Sequence, residues 1–414
     1  MTNPVVKALV PAGREKKQSE IIEIERYLRL TRDDMKYYWS NISGILLMLL
    51  AILTAGCSHN EFPLPTIPPA DEQFPSYQTP EYIQINPSFD AVNGYGFNHP
   101  ADIYYGVDNF LYVADTDNNR IVMMDIGGTI QGYSQRIEHP EAISQNDSLQ
   151  LLIVNRTNAV FRIDLYKHNH QISQAVIEKV FEQASQPTRQ FTGISVHNGF
   201  EYYVTVADPQ SLQKVSYIYD FRSDHFLKGP LPMEVNGSGL FATMLPTAIV
   251  SEREAYLDAS SRLEDTEAFY FTQTGSIPDL QLQNYYKIQH VTTTVFEGDN
   301  ILIPDLSLIG TDIYNFARYF NPEDIAIDRS GFLFVVDAGP DPAENTGTEY
   351  APGFYRFSQT GKQLQAKLAF GSGPEQFNNP RGVAVTPAAE TDQVVYIADT
   401  GNNRILRFKL STDF

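Results

Sequence analysis

The chain has 414 residues, 42% of them apolar, with 25 Phe and 24 Tyr, which is ample material for a packed core. Its net charge of −20 sets it against phosphate backbones and so against a nucleic-acid-binding role. A single cysteine, Cys57, excludes an intrachain disulfide and a cysteine-based zinc site.

Residues 1–34 are charged and helix-prone, and they precede a segment that is complete from its own Met35. Two readings stand: the chain starts at Met35 and the upstream stretch is a mis-annotated extension, or the leader is unusually long. Residues 35–56 place Lys36 first, then the apolar run 45–53, then Ala55 and Gly56 before Cys57. That is the order of a secretory signal peptide, and the run is roughly half of what a membrane span needs. The ending Leu53-Thr54-Ala55-Gly56-Cys57 resembles the bacterial lipobox. The resemblance implies cleavage before Cys57, lipidation of its thiol and amine, and a firm membrane anchor. A short buried helix with a chance cysteine is the alternative. Residues 57–80 are rich in proline, show no hydrophobic period and read as an extended tether.

Beyond residue 80 helix signals give way to short apolar or alternating runs, the mark of strands. The nonapeptide VADTDNNRI at 113–121 returns as IADTGNNRI at 397–405. Aligned on it, units begin at Phe97, His139, Phe191, Leu245, Phe320 and Phe377, at spacings of roughly 40 to 75 residues, which mark a propeller or solenoid. These units resemble the NHL repeat, strongly in the first and last and weakly in the second to fourth. The resemblance implies an all-β, six-bladed β-propeller over residues 81–414. A four-stranded blade cannot bury both faces alone, whereas a closed ring of blades does so and protects the edges. The last unit shows no fourth strand, so residues 81–89 are expected to supply it by pairing with Arg404–Leu410.

Within the repeat, Asp115 and Asp399 end a strand, while Asn119, Arg120, Asn403 and Arg404 open the next. Turn chemistry accounts for this pattern, with each arginine held between blades against a neighbouring aspartate. Ligand binding is the functional alternative. Ligands of propellers sit at a mouth of the central channel, near the start of each innermost strand. Alignment brings Asp102, Glu141, Glu323, Asp324 and Arg381 there as candidate ligand-binding residues. Clustered carboxylates suit Ca²⁺, and an Arg381–Glu323 ion pair is the plainer reading. His99 and His139 hold matching places and are weak metal candidates. In the amidating lyases that resemble NHL propellers, zinc sits on histidines near this position, but the later units carry Asn321 and Asn379 there. The acid-and-amide metal set of propeller lactonases is not assignable.

Two inserts break the repeat. Residues 339–353 replace a tight turn, and residues 251–268 read as a short acidic helix. Long loops on a rigid ring are where binding tends to be placed. The resulting expectation is a lipid-anchored binding or scaffold propeller on the periplasmic face or surface of a bacterial envelope. Its partner is an envelope protein or a small ligand, and it is not an enzyme. The alternative is a metal-dependent propeller enzyme, a lyase or lactone hydrolase, with its site at the channel mouth.

Overall fold

Strand b of the first repeat, Leu111–Asp115, is buried along its whole length, as a strand covered on both faces must be. Side chains alternate across a strand, so its residues divide between two neighbours. Leu111 and Val113 pack with Ala384, Tyr396 and Ile405 of the last repeat. Tyr112 and Ala114 pack with Ile143, Leu151 and Ile153 of the second. The computed structural model describes residues 79–414, apart from 211–215, 232–244, 255, 259–260, 263–266, 275–285, 341–349, 388–392 and 414. Within them, six four-stranded antiparallel sheets repeat this arrangement.

The innermost strands (a) of blades 1 to 6 are Pro100–Tyr105, Ala142–Gln145, Gln190–His197, Leu245–Ser251, Pro322–Ile327 and Gly382–Val385. Each blade runs outward from a to d. Every interface between consecutive blades has its own apolar cluster, and blades 6 and 1 share one, so the ring is closed. Each interface also carries at least one side-chain hydrogen bond. Thr400 donates to Pro100 O at 2.7 Å between blades 6 and 1, and Thr116 to Pro140 O at 2.8 Å between 1 and 2. Val196 N donates to Ser144 Oγ at 3.0 Å between 2 and 3, and Thr192 to Pro246 O at 2.7 Å between 3 and 4. Thr247 donates to Pro322 O at 2.8 Å between 4 and 5, and Val383 N to Asp324 Oδ2 at 2.8 Å between 5 and 6.

The expected closure is present. Tyr82–Gln84 pairs antiparallel with Arg404–Leu410 as the outer strand of blade 6, in the register Tyr82 to Leu410, Ile83 to Lys409 and Gln84 to Phe408. Ile85 N donates to Arg407 O at 2.8 Å, and Phe89 exchanges both backbone bonds with Ile405 at 3.0 Å. The two matching nonapeptides therefore lie in adjacent blades.

Among its described residues, the insert in blade 4 is not an acidic helix. Glu252–Glu254 forms one 3₁₀ turn, and Tyr256–Asp258 pairs with Ser261–Arg262 in a small ladder. No apolar stripe at helical spacing exists in the sequence to hold a helix there. Arg253 is drawn inward instead, 1% exposed, onto Asp147 of blade 2. The insert at 339–353 lies largely outside the described residues, as do the expected leader, Cys57 and tether in 1–78. Among the described residues no helix is long and apolar enough to cross a membrane.

Candidate functional site

Near its start, strand a is interrupted by a register shift in blades 1, 3, 4 and 5. In blades 1 and 5 a β-bulge follows Pro100 and Pro322, between Pro100 and Asp102 and between Pro322 and Asp324. A bulge re-aims the residue after it. Asp102 and Asp324 therefore turn onto the channel axis, where both line the central cavity and its mouth. Blade 6 touches both: a Cβ on Gly382 would lie 2.7 Å from the Asp102 Cα, and Val383 N donates to Asp324 Oδ2 at 2.8 Å.

Asp102 is buried and Asp324 partly buried. Asp102 Oδ2 accepts from Ile143 N at 2.8 Å. Asp324 accepts from Ile325 N and from Val383 N, each at 2.8 Å. Burial raises Asp102 to about 7, aided by the charge of Glu141 and opposed by its backbone donors and Arg381. Asp324 is pushed well above the ordinary range by burial first and by Asp102 second.

Above this pair lies Arg381. Its guanidinium reaches over the mouth to Glu141 of blade 2 and lies 3.5 Å from Glu323 Oε2 of blade 5. Burial opposes its charge, but the two glutamates outweigh that and hold its proton more tightly than usual. Glu141 also takes Arg156 Nε at 2.6 Å. The result is a chain of alternating charges, Arg156–Glu141–Arg381–Glu323. All five residues predicted for the mouth are thus brought to one place, and Arg381 takes Glu141 as well as the expected Glu323. Arg156 was missed: nothing in the repeat pattern marks it, since its partner lies fifteen residues earlier in the same blade's leading turn.

A pH effect follows from Asp102. Unfolded, it titrates at an ordinary 3.8; folded, at about 7. Between those values the folded chain holds a proton that the unfolded chain has released. The stability this gives is present in full below pH 3.8 and is lost as pH rises through 7. Asp102→Asn is therefore expected to flatten the dependence between pH 5 and pH 8 and to stabilise the fold at pH 8. Urea midpoints at the two pH values check this; an unchanged slope would contradict it.

The repeat motif proves more local than the sequence suggests. Arg120 and Arg404 do not pair across blades; each bonds the aspartate of its own blade, with Nε to Asp115 at 2.8 Å and to Asp399 at 2.7 Å. The reason is register: Asp115 faces Arg120, and Asp399 faces Arg404, across adjacent strands. The contact between blades is made by Asn119 and Asn403, both left-handed at φ 56° and 54°. Their side chains accept His139 N at 3.0 Å and His99 N at 2.7 Å in the following blade. Asn118 and Asn402, also unforeseen, complete the hubs by bonding Asp115 and Asp399 at 2.8 Å.

His99 and His139 converge on Asp117, Nδ1 lying 2.6 Å and 3.5 Å from its two oxygens. Among the described residues no group of three or more His, Cys, Asp or Glu is arranged to hold a metal ion. At the mouth, Glu141 and Glu323 are spent on guanidinium groups, which leaves the two aspartates. The donor set as arranged does not fit a divalent ion, which takes six or more oxygen ligands when it is Ca²⁺.

Comparisons with known proteins agree with this architecture. The family model of the NHL repeat matches residues 97–122. No match is found among curated protein sequences. Among solved structures the chain is similar to a luciferin-regenerating enzyme, at 9% identity over 80% of this chain and 95% of that one, with a TM-score of 0.50. It is also similar to a gluconolactonase from Xanthomonas campestris, at 13% identity over 80% and 89% with a TM-score of 0.48. A third is a calcium-binding protein, regucalcin, from Agrobacterium tumefaciens, at 9% identity over 80% and 96% with a TM-score of 0.49. At such identities the likeness is one of fold. The chain is thus a closed six-bladed β-propeller, sealed by an N-terminal strand, whose first blade carries a segment that matches the NHL repeat.

Proposed function

We propose that this propeller is a binding module, held at a bacterial envelope by lipid on Cys57, whose partner is an envelope protein or a small ligand met on its loops. The observation that carries the reading is the closed axis. The cavity along the channel measures about 70 Å³ and the mouth about 20 Å³. Substrate pockets run to roughly 300–1,000 Å³. With the mouth filled by paired side chains, recognition falls to the segments whose sequence departs from the repeat, 251–268 and 339–353. Photo-cross-linking in intact cells tests this. One defined partner captured from sites in the inserts, and not from the outer strands of the blades, is expected. Equal capture from every site would contradict it.

The anchor has its own test. Cys57→Ser is expected to abolish incorporation of labelled palmitate and to shift the protein from the membrane to the soluble fraction. A variant that stays membrane-bound and labelled would contradict lipidation at Cys57.

A second reading, an enzyme of the lyase or lactone-hydrolase kind, is favoured by the Asp102–Asp324 pair. Two neighbouring carboxyl groups with raised proton affinity, Asp102 pushed up to about 7 and Asp324 well above the ordinary carboxylate range, can hold and pass on a proton. The solved structures of similar fold include proteins named for gluconolactonase and luciferin-regenerating activities. Turnover of a sugar lactone by the purified chain, lost in Asp102→Asn and Asp324→Asn, would place this reading first.

A further inference from the structure

We infer that Arg381 is the resident cation of the channel mouth, holding the carboxylates that converge there in place of a divalent metal ion, and that its side chain is what keeps such an ion out. Four acidic side chains from three blades meet at this mouth: Asp102, Glu141, Glu323 and Asp324. Oxygen donors converging from several rigid elements are what a hard divalent cation selects. The positive charge that meets them is covalently part of blade 6. Arg381 is the arginine among the residues lining the mouth, its side chain 19% exposed, and it bonds glutamates from blades 2 and 5 at once. A guanidinium is planar and delivers its donors in a fixed fork, so it bridges two carboxylates without drawing the aspartates beneath into a coordination sphere. That accounts for the two aspartates ending on backbone N–H groups rather than on a common centre. The inference holds whether the propeller binds a partner or turns over a small molecule.

The test uses the full chain, with CaCl₂ as the probe in calorimetry and Tb³⁺ luminescence as a second readout. Wild type is expected to show no saturable Ca²⁺ binding. Arg381→Gln and Arg381→Ala are expected to bind one equivalent, with affinity roughly tenfold or more above any residual wild-type binding. The gain should vanish when Glu323→Gln is added. If an Arg381 variant folds only when Ca²⁺ is supplied, as read by circular dichroism, the inference is equally supported. Stoichiometric Ca²⁺ on wild type would overturn it. So would a folded Arg381 variant that ignores Ca²⁺, or one that stays unfolded with and without the ion.

Discussion

Tyr82→Ala is expected to cost the ring about 3–5 kcal/mol, the range for removing a large buried aromatic side chain. Tyr82 belongs to the short strand that closes blade 6, yet it is 2% exposed. Its ring meets Phe354 edge-on at 5.1 Å and Phe334 at 6.4 Å, both in blade 5. One side chain thus joins three things: the N-terminal strand, the outer half of blade 6 and the interface with blade 5. A domain of ordinary stability holds about 5–15 kcal/mol in all, so the loss is a large share of the total. Ile83→Ala, on the same strand but 37% exposed, should cost no more than about 0.5 kcal/mol. Urea denaturation separates the two. Equal midpoints would mean that the closing strand is not a structural element of the ring.

The second large effect is expected at Asp399. Its side chain is fully buried and accepts Asn378 N at 2.7 Å, Asn402 Nδ2 at 2.8 Å and Arg404 Nε at 2.7 Å. Asp399→Ala strands Asn378 N and Arg404 Nε, leaves Asn402 Nδ2 with Gly371 O alone, and leaves the Arg404 guanidinium, only 10% exposed, without its counter-ion. Breaking a buried pair in this way costs about 3–5 kcal/mol. Asp115→Ala removes the same hub from blade 1, but there Arg120 is 27% exposed and recovers hydration. The ordering Asp399→Ala worse than Asp115→Ala, in thermal unfolding of the two variants, is the expected outcome. The reverse order would show that exposure of the arginine does not set the cost.

The ring was legible because it is repetitive. Two near-identical nonapeptides marked adjacent blades, and the missing fourth strand of the last unit pointed back to residues 81–89. The mouth residues were legible because alignment places one pair from each blade at the start of strand a. Contacts that break the repeat were hidden. Arg381 reaches Glu141, in a blade that is not its neighbour, and periodicity carries no sign of such a reach. The bulges that turn Asp102 and Asp324 inward depend on register, which strand patterns do not specify. Blade 5 shows the same limit. Gly353 faces Asp337 where the first and last blades have arginine. Asp337 instead collects three backbone donors, from Phe320, Asn321 and Gly339. The nearby charge comes from Lys287 of blade 4, whose ammonium donates to Phe320 O and is itself lowered in pKa by burial. In the 251–268 insert, charge and length suggested a helix, but no apolar stripe was present to stabilise one.

The closure is tested most directly by joining its two strands covalently. Ile83 and Lys409 face each other across the last pairing of the ring, near the chain's two ends in the described structure. With Cys57 replaced by Ser, the pair Ile83→Cys and Lys409→Cys should react with a short bis-maleimide within one molecule. The product should be a compact, fast-migrating monomer on a denaturing gel and should resist urea better than the unlinked chain. Cross-linking that yields only dimers, or none at all while the chain is folded, would contradict a ring sealed by its own N-terminal strand.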